Sequence, residues 1–539
     1  MRFLSALILA LSVFAQERAD LILHNGKIFT ADTRFSIVRA LVVRGDRIVA
    51  VGDEDLLKKY TAPRIIDLQG RYAQPGFNDI HIHMHGDAPN YVELAGVKSI
   101  QQIRNAVSAK AAKLPKGSWI TGYGWSEDEV EEHRKPTRVD LDQAAPNNPV
   151  ALTRAGGHSI VANSKALAAA KLDRNTPDPD RGAIEHDAKG EPTGVVRERG
   201  DLFTSLVPKA GAAELRNSLA IKLNGLFAKG ITSIIEANTP LEGYADWQKV
   251  YSAHHDTLPR AAVQIGWPGA QALKAFGKKT GDGDDHLRIG AIKVFVDGGF
   301  TGPAAYTILP YKGQVDYRGK LTRTPAEFED IFRQANALGW QLGLHTIGDG
   351  AIQLAVDLLS KVIDENPRPD HRHYLNHFSM TPPDATYRKM AAHQIWIAQQ
   401  PNFTYTLEGR YRDNLDEARL QVNNPVATPM KYNIFVGLSS DILPIGPLVG
   451  VYAAVTRKGM SGEVYGKQEA ISIEKAIAGY TRNGAFFTRE EASKGTLEPG
   501  KLADVIVLDE DLLTVNPAKI LTAQVTMTIL GGKVVYERK

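Results

Sequence analysis

The sequence predicts an α/β protein with three parts: a (β/α)8 TIM-type barrel, a small β-sandwich domain formed from both chain termini, and a long insertion after barrel strand 1. Apolar runs alternate with amphipathic helical stretches through the middle of the chain, which is typical of parallel strands covered by helices. Short strands and tight turns occur at both ends, and residues 87–215 follow neither pattern. A chain of 539 residues is long enough for a barrel-sized domain and a smaller companion.

Residues 1–15 have the features of a secretory signal peptide. Arg2 precedes an apolar run, which ends in small residues before the polar Gln16. We expect cleavage after Ala15 and therefore a secreted or periplasmic protein. The alternative is a membrane anchor, but the run is shorter than the roughly 20 residues that a spanning helix needs.

The composition excludes several classes of function. A hydrophobic fraction of 43% and a charged fraction of 23% describe a soluble globular protein. A net charge of +3 without basic and aromatic clusters argues against nucleic acid or anionic membrane surfaces as partners. The absence of cysteine excludes disulfides, thiolate nucleophiles and Cys-ligated zinc. We expect a small-molecule substrate. If the protein forms an oligomer, we expect a homodimer.

Residues 20–73 and 495–539 share a pattern of short strands and turns. The Asn25-Gly26 and Gly45-Asp46 pairs between apolar runs predict β-hairpins. Gly531-Gly532 marks a similar turn near the C-terminus. We therefore predict that both segments form one small sandwich.

Residues 74–494 are predicted to form the barrel. One of its helices is well marked, because Thr324 and Glu327 form a capping box around Pro325 and Gly339 follows the apolar stripe. Eight apolar runs have the length of strands. They are Phe77–His83, Ile231–Ala237, Arg260–Gly266, Ile289–Val296, Gln341–His345, Tyr374–His377, Ile395–Gln399 and Ile434–Leu438.

The insertion at about 87–215 is rich in proline, glycine and charged residues. A segment that follows the first barrel strand lies over the C-terminal mouth, where barrel enzymes build their active sites. We therefore expect the insertion to select the substrate.

His81 and His83 are the first candidate metal ligands. Alternate side chains of a strand face the same way, so both imidazoles can approach one cation at about 2.0 to 2.1 Å. The alternative for such a pair is two hydrogen-bonded core histidines. His85 has the same parity, but we expect it to lie beyond the strand end.

Three further candidates each follow a predicted strand. His345 and His377 end apolar runs, and Asp441 comes shortly after the run that ends at Leu438. Barrel closure brings the C-terminal ends of the strands around one mouth. We therefore predict that four histidines and one carboxylate converge there.

Lys293 interrupts an apolar strand that a parallel barrel buries on both faces. A buried ammonium is costly and cannot ligate a cation. One interpretation is a salt bridge to Asp297 on the same face, or an ammonium that reaches the mouth. The other is a lysine carbamate, an anion whose two oxygens could bridge two metal ions.

Together with these residues, further motifs make the chain resemble the amidohydrolase superfamily, in particular its amidohydrolase-3 branch, which includes N-substituted formamide deformylases. The resemblance runs over nearly the whole mature chain. Asn376 precedes His377 where relatives commonly carry glutamate, and Ser439-Ser440 precede Asp441 where Gly-Ser is usual. The further motifs are residues 119–125 (WITGYGW), 156–159 (GGHS), 163–167 (NSKAL) and 495–504 (GTLEPGKLAD).

This resemblance implies one or two divalent metal ions, with zinc expected. His81, His83 and Asp441 would hold one ion, His345 and His377 the other, and an N6-carboxylated Lys293 would bridge them. The two departures leave every ligand position intact. They affect residues next to the ligands. We therefore expect the properties of the metal site and the substrate to differ from those of relatives, and metal binding itself to be kept.

The function implied is hydrolysis of a non-peptide carbon–nitrogen bond, in an amide, formamide or cyclic amide, by attack of metal-bound hydroxide. A divalent ion lowers the pKa of bound water from 15.7 to about 7. Asp441 is placed to pass the proton of the attacking water to the leaving nitrogen. The alternatives are a peptidase, lactonase, phosphotriesterase or other ester hydrolase on the same metal centre, and a non-catalytic binding or scaffold barrel.

Four residues are candidates for contact with the substrate. The resemblance places His158 near the metals, where it would hold the substrate carbonyl or oxyanion; the alternative is a hydrogen bond that stabilises its loop. Trp125 and Tyr123 are candidates for the walls of an apolar pocket, although aromatic residues in such a segment commonly serve packing. Asp297, on the strand of Lys293, is the fourth candidate.

Overall fold

The computed structural model describes residues 16–127, 130–155, 157, 159–180, 182–300, 303–442 and 444–539. The predicted signal peptide at residues 1–15 and His158 lie outside the described residues. The chain divides into two compact units, which are described separately: residues 16–84 with 222–539, and residues 85–221. The barrel and the sandwich belong to the first unit, and the second corresponds to the predicted insertion.

The centre of the first unit is a sheet of eight parallel strands that follow one another in chain order. A hydrogen bond also joins the ends of the last and first strands, since the Asp441 amide donates to the His81 carbonyl at 2.7 Å. The predicted TIM-type α/β barrel is therefore confirmed. Its strands are β1 Phe77–Ile82, β2 Ile231–Thr239, β3 Arg260–Gly266, β4 Leu287–Phe295, β5 Leu342–Thr346, β6 Tyr374–His377, β7 Trp396–Gln399 and β8 Val436–Leu438.

The barrel strands are apolar along almost their whole length, because helices cover one face and packed side chains fill the other. Inside the barrel, side chains from several strands form one buried cluster that includes Ile80, Ile235, Ala262, Tyr374 and Ala398. A charged side chain in such a strand therefore needs a specific explanation.

Helices cover the strands of the first unit. Helix Pro325–Ala337 has the capping box that its sequence indicates, and Glu327 Oε2 accepts from the Thr324 amide at 2.8 Å. Gly339, with a φ of +83°, follows its end. Within the described residues, no helix combines the length and apolar character that a membrane span requires. The other α-helices described in this unit are Leu56–Lys59, Tyr244–His254, Ala270–Phe276, Asp349–Glu365, Asp384–Ala392, Asn402–Thr406, Glu408–Asn414, Glu417–Leu420, Ala427–Lys431, Pro447–Thr456, Ile473–Gly479 and Arg482–Phe487.

The two termini form a sandwich of two sheets. One has the strand order Arg47–Gly52, Ala40–Arg44, Leu21–His24, Arg64–Asp67; the other has the order Lys533–Glu537, Val525–Leu530, Val505–Leu508, Tyr72–Pro75, Lys27–Phe29, Ile37–Val38. Glu17–Arg18 and Tyr60–Thr61 form a separate short pair. Side chains of both sheets, such as Leu23 and Val505, share one buried core. The N-terminal part of the sandwich extends to Pro75, two residues beyond the expected boundary.

The Asn25-Gly26 turn differs from its prediction. It does not close a hairpin, because Leu21–His24 lies in one sheet and Lys27–Phe29 in the other. The Gly45-Asp46 turn does close one, between Ala40–Arg44 and Arg47–Gly52. A turn signal is local, whereas the strand with which a segment pairs depends on tertiary packing. The hairpin prediction is therefore right for Gly45-Asp46 and wrong for Asn25-Gly26.

The second unit has a sheet and a core of its own, which the sequence pattern did not indicate. Its strands are short and separated by polar loops, so their apolar runs do not stand out. The strand order is Tyr91–Glu93, Ile120–Trp125, Val150–Arg154, Ser159–Ala162, Pro192–Arg197, Ala183–His186. The described α-helices are Ile100–Ala111, Arg138–Ala144, Ser164–Ala169 and Asp201–Thr204, and Ala212–Gly225 crosses the boundary between the units.

Candidate metal centre

The six side chains predicted as metal ligands lie at the C-terminal ends of barrel strands. Because the strands are parallel, all these ends surround one mouth of the barrel. His81 lies on β1 and His83 directly after it, Lys293 lies on β4, His345 on β5, His377 ends β6, and Asp441 follows β8 by three residues. The structure therefore brings the six candidates together, and their role as ligands remains a prediction.

The imidazoles form a continuous group. Ring centroids are 5.4 Å apart for His81 and His83, 4.6 Å for His81 and His377, and 4.4 Å for His345 and His377. Asp441 lies beside two of them, with Oδ1 3.9 Å from His83 Nε2 and Oδ2 3.9 Å from His377 Nδ1. Ligand atoms of His81, His83 and Asp441 all lie within 4.8 Å of one another. A cation that binds such ligands at about 2.0 to 2.2 Å needs to draw them together only slightly.

Several buried nitrogen atoms of this group have no hydrogen-bond partner among the described residues. They are Nε2 of His81, His345 and His377 and Nζ of Lys293. A buried polar atom without a partner destabilises a fold by about 1 to 3 kcal/mol, so several in one place need a common explanation. Imidazole nitrogens together with a carboxylate are a donor set for zinc and similar ions, and the residues present therefore fit a divalent metal.

Three of the imidazoles, those of His81, His345 and His377, are held in the neutral form that metal ligands require. Burial lowers the pKa of His81, His345 and His377 well below the usual value for histidine, because the charged form loses its hydration. The positive charge of Lys293 lowers the pKa of all three further. Their ring nitrogens can therefore offer lone pairs at neutral pH.

The tautomer of His377 is determined by its neighbour Gln400. Gln400 Nε2 donates to Ser439 Oγ at 2.8 Å and to the Ala398 carbonyl at 3.2 Å. Gln400 Oε1 is then the acceptor of the His377 Nδ1 proton, at 2.7 Å. The lone pair of His377 consequently lies on Nε2, the buried atom without a partner.

Lys293 is 2% exposed. Burial lowers the pKa of its amine to about 8, and the charges of Asp441 and Glu236 oppose that shift. The salt bridge to Asp297 that its sequence allows is not formed. Nζ has no hydrogen-bond partner among the described residues and lies 4.9 Å from the ring centroid of Phe295.

Asp297 has a different role from the substrate contact expected from its sequence. It is 1% exposed, and its carboxylate accepts hydrogen bonds from the amides of Tyr306 at 2.9 Å, Ile347 at 3.0 Å and Gly348 at 2.8 Å. Burial raises its pKa to about 7. The hydrogen bonds from Ile347 and Gly348 fix the backbone after β5. Asp297 Oδ1 also lies 3.9 Å from His345 Nε2. The carboxylate is therefore used inside the protein and is not open to a substrate.

The backbone at Asp441 has an unfavourable conformation that several contacts hold in place. Its φ is +59°, in the left-handed region that few non-glycine residues adopt. Asp79 Oδ1 accepts from the Ser440 amide at 2.9 Å, and Asn402 Nδ2 donates to the Ser440 carbonyl at 2.7 Å. Together with the bond from the Asp441 amide to His81, these contacts direct the carboxylate towards the histidines.

Sequence reasoning missed two buried carboxylates at this site. Glu236, on β2, is 3% exposed; its Oε2 accepts from the Met84 amide at 2.5 Å, and its Oε1 lies 4.0 Å from His83 Nδ1. Asp79, on β1, is also buried, and burial raises the pKa of both groups to about 7. The signal that singles out Lys293, a charge inside an apolar strand, would have found both.

The remaining candidates belong to the second unit or lie outside the described residues. Trp125 is buried in the core of the second unit, and its indole N–H donates to the Leu152 carbonyl at 3.0 Å, so packing accounts for this side chain. Tyr123, on the same strand, is 39% exposed and stays a candidate for substrate contact. His158 lies outside the described residues, and its predicted role also stays a prediction. His85 lies beyond the end of β1, as expected.

Known proteins match this chain over nearly its whole length. A model described as "Amidohydrolase family" matches residues 64–536. YtcJ of Bacillus subtilis is 28% identical over 96% of this chain and 99% of its own, and the N-substituted formamide deformylase of Arthrobacter pascens is 28% identical over 96% of this chain and 98% of its own. Among solved structures, an uncharacterized metal-dependent hydrolase from Pyrococcus horikoshii has a TM-score of 0.72 and 25% identity, covering 92% of this chain and 99% of its own.

Proposed function

The chain belongs to the amidohydrolase family, and we propose that it hydrolyses a non-peptide carbon–nitrogen bond in an amide, a formamide or a cyclic amide. The observation that carries this proposal is the convergence of four imidazoles, Lys293 and Asp441 at one barrel mouth. Several nitrogen atoms of this group are buried without a hydrogen-bond partner among the described residues, and metal binding would account for them.

The proposed centre holds one or two divalent ions, with zinc expected. His81, His83 and Asp441 would hold one, and His345 and His377 the other. A divalent ion held by these residues would lower the pKa of water to about 7 and polarise a carbonyl. All five proposed ligands lie at or just after the ends of barrel strands, which supports a site whose geometry the fold prepares for an ion.

Lys293 is proposed to carry an N6-carboxylate that bridges the two ion positions. The lysine nitrogen would bond to the carbon of CO2 and release one proton, which leaves a carbamate anion. That reaction needs the neutral amine, and burial, by lowering the pKa of Lys293, increases its neutral fraction.

Asp441 is proposed to move the proton during hydrolysis. As the water oxygen bonds to the carbonyl carbon, one Asp441 oxygen accepts the water proton, and the same proton passes to the nitrogen when the carbon–nitrogen bond breaks. Burial raises the pKa of Asp441 to about 6, near neutral pH, where a carboxyl group can both accept and release a proton.

A panel of substrates and a metal measurement test this proposal. The purified mature protein is analysed for metal and then offered N-formyl amines, N-acyl amines, cyclic amides, dipeptides and lactones, before and after chelation. We expect bound divalent metal, turnover of an N-formyl, N-acyl or cyclic amide compound, loss of turnover with the metal, and recovery when zinc is added. The Arthrobacter relative makes N-formyl amines the first compounds to try.

The alternatives give different results in the same experiment. Turnover of dipeptides or lactones alone would favour a peptidase or an ester hydrolase. A protein that binds no metal and turns over nothing would favour a binding or scaffold barrel. Export is proposed separately: the N-terminal sequence of the mature protein should begin at Gln16 if residues 1–15 are removed as a signal peptide.

A further inference from the structure

Two of the candidate ligands donate their Nδ1 proton to an amide side chain. His81 Nδ1 lies 2.7 Å from Asn376 Oδ1, and His377 Nδ1 lies 2.7 Å from Gln400 Oε1. Ligand histidines commonly have a carboxylate, a backbone carbonyl or water as this partner, and the partner's charge sets how basic the imidazole is. Neutral partners therefore make both imidazoles weaker bases than carboxylates would.

The two amides differ in what their NH2 groups do. Gln400 Nε2 donates to Ser439 Oγ and to the Ala398 carbonyl, so both ends of Gln400 have partners. Asn376 is fully buried, and its Nδ2 has no partner among the described residues. Only the oxygen of Asn376 therefore contributes a hydrogen bond, the one from His81. Replacing Nδ2 by an oxygen would break no hydrogen bond.

The surroundings explain a neutral residue at this position. Asp79, Glu236 and Asp441 are already buried around the histidines, with Glu236 Oε1 4.0 Å from His83 Nδ1 and Asp441 Oδ1 3.9 Å from His83 Nε2. A further carboxylate would increase the repulsion among buried negative charges unless a cation is present.

We propose that Asn376 is a positioning residue for His81, which orients the ring and, by staying neutral, limits the strength with which the site holds a divalent cation. The inference rests on the proposed metal centre and on no particular substrate. Imidazoles that are weaker bases donate less electron density to the cation. The cation then keeps more positive charge with which to polarise a carbonyl.

The isosteric variant Asn376→Asp tests this proposal, with Asn376→Leu and Gln400→Glu as controls. The probe is Zn²⁺ added to metal-free protein, and its Kd is measured by competition with a chromophoric chelator. We expect Asn376→Asp to bind Zn²⁺ about 10-fold more tightly and Asn376→Leu about 10-fold more weakly, since changes at such partners typically alter metal affinity 10- to 100-fold. Gln400→Glu should gain less than Asn376→Asp, because it also loses two donated hydrogen bonds.

A thermal melt separates this role from a purely structural one. Asn376→Asp should have a lower melting temperature than the wild type without metal, and a larger increase in melting temperature when Zn²⁺ is added. Equal or weaker Zn²⁺ binding by Asn376→Asp, in a protein with a native circular dichroism spectrum, would overturn the inference. A wild-type protein that binds no Zn²⁺, Co²⁺ or Mn²⁺ would instead overturn the proposed metal centre.

Discussion

Two pairs of histidines lie at opposite ends of the same barrel, and their hydrogen bonds differ. His371 and His373 precede β6 and have ring centroids 4.4 Å apart; His345 and His377 lie at the C-terminal ends of β5 and β6, also with ring centroids 4.4 Å apart. All four are buried or nearly so. Burial and the distance between ring centroids therefore do not distinguish a structural histidine from a candidate ligand.

In the pair at the N-terminal end, every ring nitrogen has a hydrogen-bond partner. His373 Nδ1 accepts from the Leu342 amide at 3.0 Å and Nε2 donates to Asn336 Oδ1 at 3.1 Å. His371 Nδ1 accepts from the His373 amide at 3.0 Å and Nε2 donates to the His393 carbonyl at 3.0 Å. At the C-terminal end, Nε2 of His345 and Nε2 of His377 have no hydrogen-bond partner among the described residues. Between these two pairs, it is the nitrogen atoms without hydrogen-bond partners, and not burial, that distinguish the candidate metal-binding pair.

The largest expected effect is at the C-terminal end, in Asp441→Asn. The amide cannot take up the proton of water, so we expect kcat/KM to fall by at least about 1,000-fold while the protein stays folded. Steady-state kinetics and circular dichroism measure the two properties. Asp413→Asn, the same change at an exposed carboxylate of the first unit, is the matched control. Near wild-type activity in Asp441→Asn would remove Asp441 from the proton transfer.

Replacing one histidine at each end of the barrel with glutamine tests the comparison directly. His377→Gln should lose bound metal and activity and lower the melting temperature of the metal-free protein less than His373→Gln, because it disturbs one buried hydrogen bond, from Nδ1 to Gln400 Oε1, and Nε2 makes none to a described residue. His373→Gln should keep its metal stoichiometry but lower the melting temperature by several degrees, because two buried hydrogen bonds are disturbed. The reverse result would mean that the ends are wrongly assigned.

Zinc should stabilise only proteins with an intact C-terminal pair. At 100 times its Kd, a ligand that binds the folded state alone adds about 2.7 kcal/mol of stability. We expect the melting temperature of the wild type and of His373→Gln to rise with added zinc, and that of His377→Gln to rise much less. Equal increases in all three, measured by differential scanning fluorimetry, would contradict a site at His377.

The smallest expected effect is the loss of stability at low pH that comes from the two histidines at the N-terminal end of the barrel. Burial lowers the pKa of His371 to about 4 and that of His373 well below its usual value. A histidine whose pKa is lower in the folded state contributes stability that is complete above the unfolded value of about 6.5 and is lost as the pH falls from there towards 4. His371→Gln should therefore lose fewer degrees of melting temperature than the wild type between pH 7 and pH 4.5.

Much of the fold could be predicted because its signals are periodic. The eight buried strands appear as apolar runs, and parallel strands place their last residues at one mouth, so His345, His377 and Asp441 could be grouped without coordinates. The Asn25-Gly26 turn shows the limit of such signals. Its sequence favours a tight turn but cannot say that the chain then enters a second sheet.

The partners of the candidate ligands could not be predicted in the same way. Asn376 stands out in the sequence as an unusual residue, yet only the structure shows that its oxygen accepts from His81, which lies on β1. Gln400 carries no sequence signal at all, because glutamine after a strand is unremarkable by itself. Contacts between side chains of distant strands depend on barrel closure, and no local pattern records them.

The inserted unit interrupts the chain directly after Met84, whose amide is held by Glu236, and all six candidate ligands lie outside residues 85–221. Mutation or recombination can therefore change or replace that whole segment without altering any of the six candidate ligands. Descendants of one ancestor can inherit the same bond-breaking chemistry and still diverge in the molecules they accept.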